Sequence, residues 1–329
     1  MAVYLYIATA IGLFIVTKIN GNWKVVKHTL AEQSLTSIAV SDGLILAGTN
    51  KGIWRSTDNG QTWKRANKGL TIQHVRWMAA TPKASATILV GTEPAGIFVS
   101  HDGAISWRSN PEVSDLRDAY AWFLPYSPKA GCVRGFAIAE SGPDPNRIYA
   151  AVEVGGVLVS ENRGKSWRLV DGSDGKPDIN REFGTLIHPD VHSLTVHTSS
   201  SDLITAATGG GLYRSTDGGK SWINLYRCYI RAIWVDPGDA QHIISGPADG
   251  VSHNGRIEES FDGGKTWRLA SGGIKVPWPR DMVERFMQTD KDLFAVLSNG
   301  ELWLKRLGES KWHQILPQIT SIKAIVIRH

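Results

Sequence analysis

Cysteine is nearly missing from this sequence: Cys132 and Cys228 are the only two in 329 residues. A disulfide framework is therefore excluded, and the thiol content demands no oxidising compartment. Long apolar runs are missing too. The stretch from Val3 to Val16 is apolar but short of the roughly 20 residues that a spanning helix needs. No basic residue precedes it and no small-residue cleavage site follows before Lys18, so it reads as strand rather than signal peptide. Lysine and arginine form no block; the net charge of +5 is spread along the chain, unlike the clustered stripe of a nucleic-acid binder. A Gly-rich phosphate loop, a G-x-S-x-G elbow and an H-E-x-x-H pair are all absent, which sets aside nucleotide kinases, α/β-hydrolases and zincins. The expectation is a cytoplasmic monomer whose partner is a small anionic molecule, not a nucleic acid or a membrane.

What the chain does have is repetition. Trp23, Trp63, Trp107, Trp167, Trp222, Trp267 and Trp312 each close a similar phrase: a β-rich run, a Gly-containing turn, a second β run and a polar loop. Self-similarity at this period marks a radial or linear array. Apolar content of 42% and 34 glycines suit many short strands joined by tight turns. Each unit opens on a short apolar run: Thr36, Arg76, Arg134, His192, Arg231, Arg285 and Ser321 are the equivalent opening positions. Each run ends on turn residues such as Asp236-Pro237. A second strand, a Gly turn, a third strand, the polar loop and a Trp-led fourth strand follow. Four antiparallel strands per unit make a propeller blade. The chain begins on a second strand, where Leu5 to Phe14 aligns with Leu44 to Trp54, and ends on a first strand. The fold class expected is all-β, one seven-bladed β-propeller over residues 1–329. One blade is closed by the N- and C-terminal strands, which removes the free sheet edges.

Three polar loops are nearly identical: Ser56 to Trp63, Ser215 to Trp222 and Ser260 to Trp267. They resemble the BNR, or Asp-box, repeat S-x-D-x-G-x-T/S-W, found in sialidases, sortilin-type receptors, a photosystem assembly factor and many bacterial repeat proteins. In the copy at Ser100 to Trp107 the Gly is displaced, and in Ser160 to Trp167 Asn162 replaces the Asp. The resemblance implies that the box is structural, with Asp and Ser/Thr bonding the turn backbone and Trp packing between sheets. Among sialidases it also implies three arginines on a carboxylate, a Tyr nucleophile backed by Glu, and an Asp acid/base. Tyr226 and Tyr229 are candidates for that Tyr, but the family's N-terminal arginine signature is missing and seven blades differ from six.

Strand direction places the opening residues and the turns between second and third strands on one face, and the Asp-boxes on the other. Arg76, Arg134, Arg231, Arg285 and His192 would then converge on the channel mouth, facing Glu93, Glu153, Asp249 and Asn299. Guanidinium forks grip carboxylate, sulfate or phosphate bidentately. Glu93, Glu153 and His192 are the candidate acid–base groups. The alternative is that the arginines pair with these carboxylates and plug a polar channel. Two long connections emerge on the same face, one with Tyr120, Trp122, Phe123 and Tyr126, the other rich in acids and holding His188 and Asp190. With Trp278 from a third connection, they would wall an aromatic funnel. No cofactor is expected; a divalent metal on His192, Glu93 and Glu153 is left open, without a tight motif. The function expected is a hydrolase acting on a small anionic ester, phosphoester, sulfate ester or glycoside. The alternative is a propeller that binds or scaffolds without turnover.

Overall fold

The computed structural model describes residues 3–41, 43–81, 87–123, 131–139, 144 and 146–328. Its strands form seven antiparallel sheets of four, arranged as the blades of a propeller. The closing blade pairs the C-terminal strand Ile322–Arg328 with the N-terminal strand Tyr4–Thr9, followed outward by Gly12–Ile19 and Asn22–Thr29. Both ends of the chain thus meet in one sheet, as the repeat count requires.

The second strands, such as Leu44–Thr49, Ile88–Thr92, Ile148–Val152 and Ile204–Thr208, are buried at every residue. Their continuous apolar runs follow from having a blade on either side, so no alternation survives. The core is accordingly a set of clusters between blades. One packs Leu89 and Ile97 of one blade against Ile148, Val152 and Leu158 of the next. Hairpins between second and third strands turn on two residues, with Thr9, Thr49 and Thr208 pairing with Gly12, Gly52 and Gly211. Gly12 sits at φ +114°, where an added Cβ would lie 2.8 Å from the Leu30 carbonyl.

The Asp-boxes cap their own loops. Ser56 Oγ donates to Asp58 at 2.7 Å, and the Thr62 amide and hydroxyl donate to Asp58 at 2.9 and 2.6 Å. The same pattern recurs at Asp102, Asp217 and Asp262, while Asn162 accepts the Ser166 amide at 2.9 Å. Where the Gly is displaced, Ala104 takes the left-handed position at φ 62°. Two of the repeat tryptophans staple blade to blade: Trp107 Nε1 donates to the Ala66 carbonyl at 2.7 Å and Trp312 Nε1 to Ala270 at 2.9 Å. Each such bond contributes about 1 kcal/mol net. Most fourth strands are two-residue stubs beginning after the Trp, as at Lys64–Arg65 and Arg268–Leu269, shorter than the repeat suggests.

The connection expected to be an aromatic wall instead contains a helix, Pro111–Tyr120, with Pro near its start and Ala121 in the left-handed conformation at its end. No helix among the described residues is long and apolar enough to cross a membrane.

Candidate functional site at the channel mouth

Every innermost strand carries one extra residue against its partner. The register slips between Leu35 and Ser37, Val75 and Trp77, Val133 and Gly135, Val191 and Ser193, Ile230 and Ile233, and Val283 and Arg285. In the closing blade Ala324 and Ile322 face consecutive residues Ala8 and Thr9, leaving Lys323 unpaired. A bulge leaves its extra residue out of the ladder and re-aims the side chain. The bulged positions are therefore Thr36, Arg76, Arg134, His192, Arg231, Glu284 and Lys323. Five agree with the repeat alignment. Two do not: Glu284 replaces Arg285 and Lys323 replaces Ser321, because the apolar runs show phase but not the inserted residue.

The bulges gather Arg76, Arg134, Arg231, Glu284 and Lys323 around a cavity of about 370 Å³, and Arg285 lines it as well. Glu284 bridges two blades, pairing with Arg231 and lying 3.5 Å from Arg134. Arg134 also lies 3.3 Å from Glu153, and Arg76 lies 3.5 Å from Glu93. Arg285 stacks over Trp77 at 3.6 Å and donates to the Arg134 carbonyl at 3.2 Å. Among the described residues no carboxylate lies within ion-pair distance of Arg285. Its burial, reinforced by the Arg134 guanidinium, lowers its pKa to about 9. The mouth is thus neither a bare cationic ring nor a neutralised plug: three ion-paired arginines surround one that is not.

Beside it, and sharing Arg231, a larger cleft of about 920 Å³ opens under the segment 179–184. Glu153, Asp190 and Tyr229 line its floor, and His188 and Phe183 its side. His192 is buried behind them: Nδ1 is 2.8 Å from the Ile230 carbonyl, and Nε2 is 3.1 Å from Asp190 and 3.3 Å from the Tyr229 hydroxyl. Arg231 Nε donates to that same hydroxyl at 3.2 Å. Burial pushes the Glu153 carboxyl up, but Arg134, His192 and the Cys132 thiol outweigh it and hold the pKa below the ordinary value. Asp190 is lowered in the same way, burial being outweighed by His192. Glu284 is lowered against burial by Arg231 and Arg134. Burial raises the Tyr229 hydroxyl despite Arg231. Two anionic carboxylates, a phenol and a guanidinium thus share one concave surface, with the His192 imidazole buried directly behind it.

Several expected site residues stand elsewhere. Trp122 is completely buried, its Nε1 donating to Gly175 at 2.7 Å, so it is core and not a funnel wall. Trp278 bridges to Gly255 and packs into the cluster around Trp234, away from both cavities. Asp249 is exposed and occupied by Arg256 at 3.1 Å and Asn254 at 3.1 Å. Asn299 accepts the Glu301 amide at 2.9 Å, capping its own turn. Glu93 belongs with Arg76 and His74, apart from His192. Tyr226 stacks on Trp267 beside Arg256, which leaves Tyr229 as the phenol of the cleft. Tyr126 lies outside the described residues. Sequence reasoning passes over Glu284, which stands one residue from the opening position Arg285, and over Asp190, which counts there only as one of several acids in a long connection.

The family model for the BNR/Asp-box repeat matches residues 54–65, and the chain carries that repeat around a seven-bladed propeller. No curated protein matches the chain. Among solved structures, an ancestral GH74 enzyme superposes with a TM-score of 0.62 at 18% identity, covering 89% of this chain and 38% of its own. The GH74 xyloglucanase from Xanthomonas campestris gives 0.62 at 16%, covering 86% of this chain and 45% of its own. This chain therefore spans less than half of either enzyme. YCF48 from Cyanidioschyzon merolae gives 0.60 at 14%, covering 93% and 96%, and YCF48 is also known bound to a D1 peptide. These likenesses establish the fold, which serves glycoside hydrolases and non-catalytic propellers alike.

Proposed function

We propose that the protein is a hydrolase acting on a small anionic ester or glycoside in the cleft between the fourth and fifth inner strands from the N-terminal end of the ring. The observation that carries this reading is the string Asp190–His192–Tyr229–Arg231, joined side chain to side chain and opening into the 920 Å³ cleft. Arg231, which lines both cavities, orients the anion, with Arg227 completing the cationic side of the cleft. Water is activated at the Glu153–Asp190–His192 group, which takes the attacking water's proton and returns one to the departing oxygen. Preorganised guanidiniums at the developing negative charge supply the electrostatic part of the rate. The two unpaired cysteines fit a cytoplasmic setting.

A panel of chromogenic phosphate, sulfate, carboxylic ester and sugar-acid glycosides tests it. One class should turn over, and Arg231→Lys, which keeps charge but loses the fork, should lower kcat/KM about a hundredfold. A panel without turnover ends the hydrolase reading. The second reading, a propeller that binds an acidic peptide without turnover, is favoured by the near-equal lengths of this chain and YCF48. Saturable binding of such a peptide, lost in Arg231→Lys and unaccompanied by hydrolysis, selects it.

A further inference from the structure

Glu153 and the pair Asp190 and His192 come from neighbouring blades, yet their ligand-capable atoms all lie within 4.8 Å of one another. One of these ligand atoms, the buried Asp190 Oδ1, accepts no hydrogen bond. His192 Nδ1 faces the Ile230 carbonyl at 2.8 Å, and a carbonyl only accepts, so Nδ1 carries the hydrogen. Nε2 then lies 3.1 Å from Asp190 Oδ1, the buried oxygen without a hydrogen bond, and 3.3 Å from the Tyr229 hydroxyl. A carboxylate oxygen and a ring nitrogen 3.1 Å apart are held together by a positive centre, either a proton on Nε2 or a metal cation. A backbone carbonyl on the far ring nitrogen is also the usual brace of a metal-binding histidine, fixing its tautomer and orientation. Glu153 is braced in turn by Arg134 at 3.3 Å and by the Cys132 thiol at 3.0 Å.

We propose that Glu153, Asp190 and His192 bind one divalent cation of the zinc or manganese class. One imidazole and two carboxylates are a donor set that such ions accept. Three protein ligands leave coordination positions open to the cleft, for water or for an oxygen of the bound anion. A second histidine–carboxylate cluster among the described residues, around His242, lacks these features. His242 has both ring nitrogens on carboxylates, Asp236 at 3.1 Å and Glu259 at 2.9 Å, with Arg268 and Lys305 on Glu259. It leaves no lone pair for an ion. The cation site builds on the assignment of the cleft as the reactive centre, but an ion can be held there whether or not a substrate turns over.

Calorimetric titration of the chelator-treated full chain with zinc chloride, and separately manganese chloride, tests this. One saturable site per chain is expected, micromolar or tighter for at least one of the two. Asp190→Asn and His192→Gln should weaken it by more than the roughly ten- to hundredfold that losing an outer-shell partner costs. His242→Gln should leave it unchanged; Asp190→Asn, nearly isosteric, covers the case in which His192→Gln does not fold. Absence of a saturable site, or equal binding by Asp190→Asn and the parent, overturns the inference. Binding without hydrolysis of any panel substrate upholds the ion and removes the hydrolase. Hydrolysis unaffected by chelator, with no binding, does the reverse.

Discussion

Replacing Glu284 with Gln keeps its shape and removes one charge from the point where two blades meet. Arg231 then loses its carboxylate, while Arg134 keeps Glu153. The Glu284 side chain is 22% exposed and those of its partners 16% and 12%. The loss therefore falls at the low end of breaking a buried pair, about 3 kcal/mol. At this chain length that is a drop in Tm of about 4 °C. The same change should favour an incoming anion. At a separation of about 6 Å and an effective dielectric of about 20, removing one negative charge is worth up to about 3 kcal/mol to a bound monoanion. Thermal unfolding of parent and Glu284→Gln in low-salt buffer, with sulfate or phosphate added in steps, reads both effects. The variant should start lower and gain more; an anion at 100 times its Kd adds about 2.7 kcal/mol. A variant that melts with the parent, or both proteins gaining equally from sulfate, refutes the idea that the pore entrance is a cationic site held in balance by Glu284.

Three further outcomes follow from the geometry. Trp122→Phe keeps an aromatic ring but removes part of the buried indole together with its bond to Gly175, and should lower stability by about 1–3 kcal/mol in denaturant titration while leaving ligand affinity unchanged. Tyr229→Phe removes the hydroxyl shared by Arg231 and His192 and should reduce kcat/KM at least about tenfold with little change in Tm, read by steady-state kinetics. Asp102, Asp217 and Asp262 are held at about 2, below their ordinary 3.8, because hydrogen bonds from Ser106, Ser221 and Thr266 outweigh burial. Lowered carboxyl pKa values give stability that is present above pH 4 and lost as the pH falls towards 2. Asp217→Asn, copying the natural Asn162 box, should therefore lose less stability between pH 6 and pH 3 than the parent does.

The propeller was legible because each blade repeats its own punctuation. Trp and Asp-box recur once per blade, and the Thr–Gly hairpin of Thr9–Gly12 recurs in Thr49–Gly52 and Thr208–Gly211. The inward-facing ring was legible only in part. A bulge adds a residue without changing the apolar pattern around it, so Arg285 and Glu284, or Ser321 and Lys323, cannot be ordered by hydrophobic phase. In the connections the aromatic content was misleading, since Trp122 is exactly the kind of large side chain that a helix docking on a blade buries. The chemistry of the cleft was hidden for another reason. Glu153 and Asp190 are 37 positions apart and meet only because adjacent blades place a hairpin turn beside the start of the next inner strand. No local motif announces such a pair.

The most direct measurement compares Asp190→Asn and Asp217→Asn, one carboxylate on each face of the disc, for kcat/KM and Tm on the same substrate. Asp190→Asn should lose at least about a hundredfold in kcat/KM with Tm nearly unchanged. Asp217→Asn should keep kcat/KM and lower Tm. Full activity in Asp190→Asn, or loss of activity in Asp217→Asn without loss of stability, would contradict the placement of function at the channel mouth.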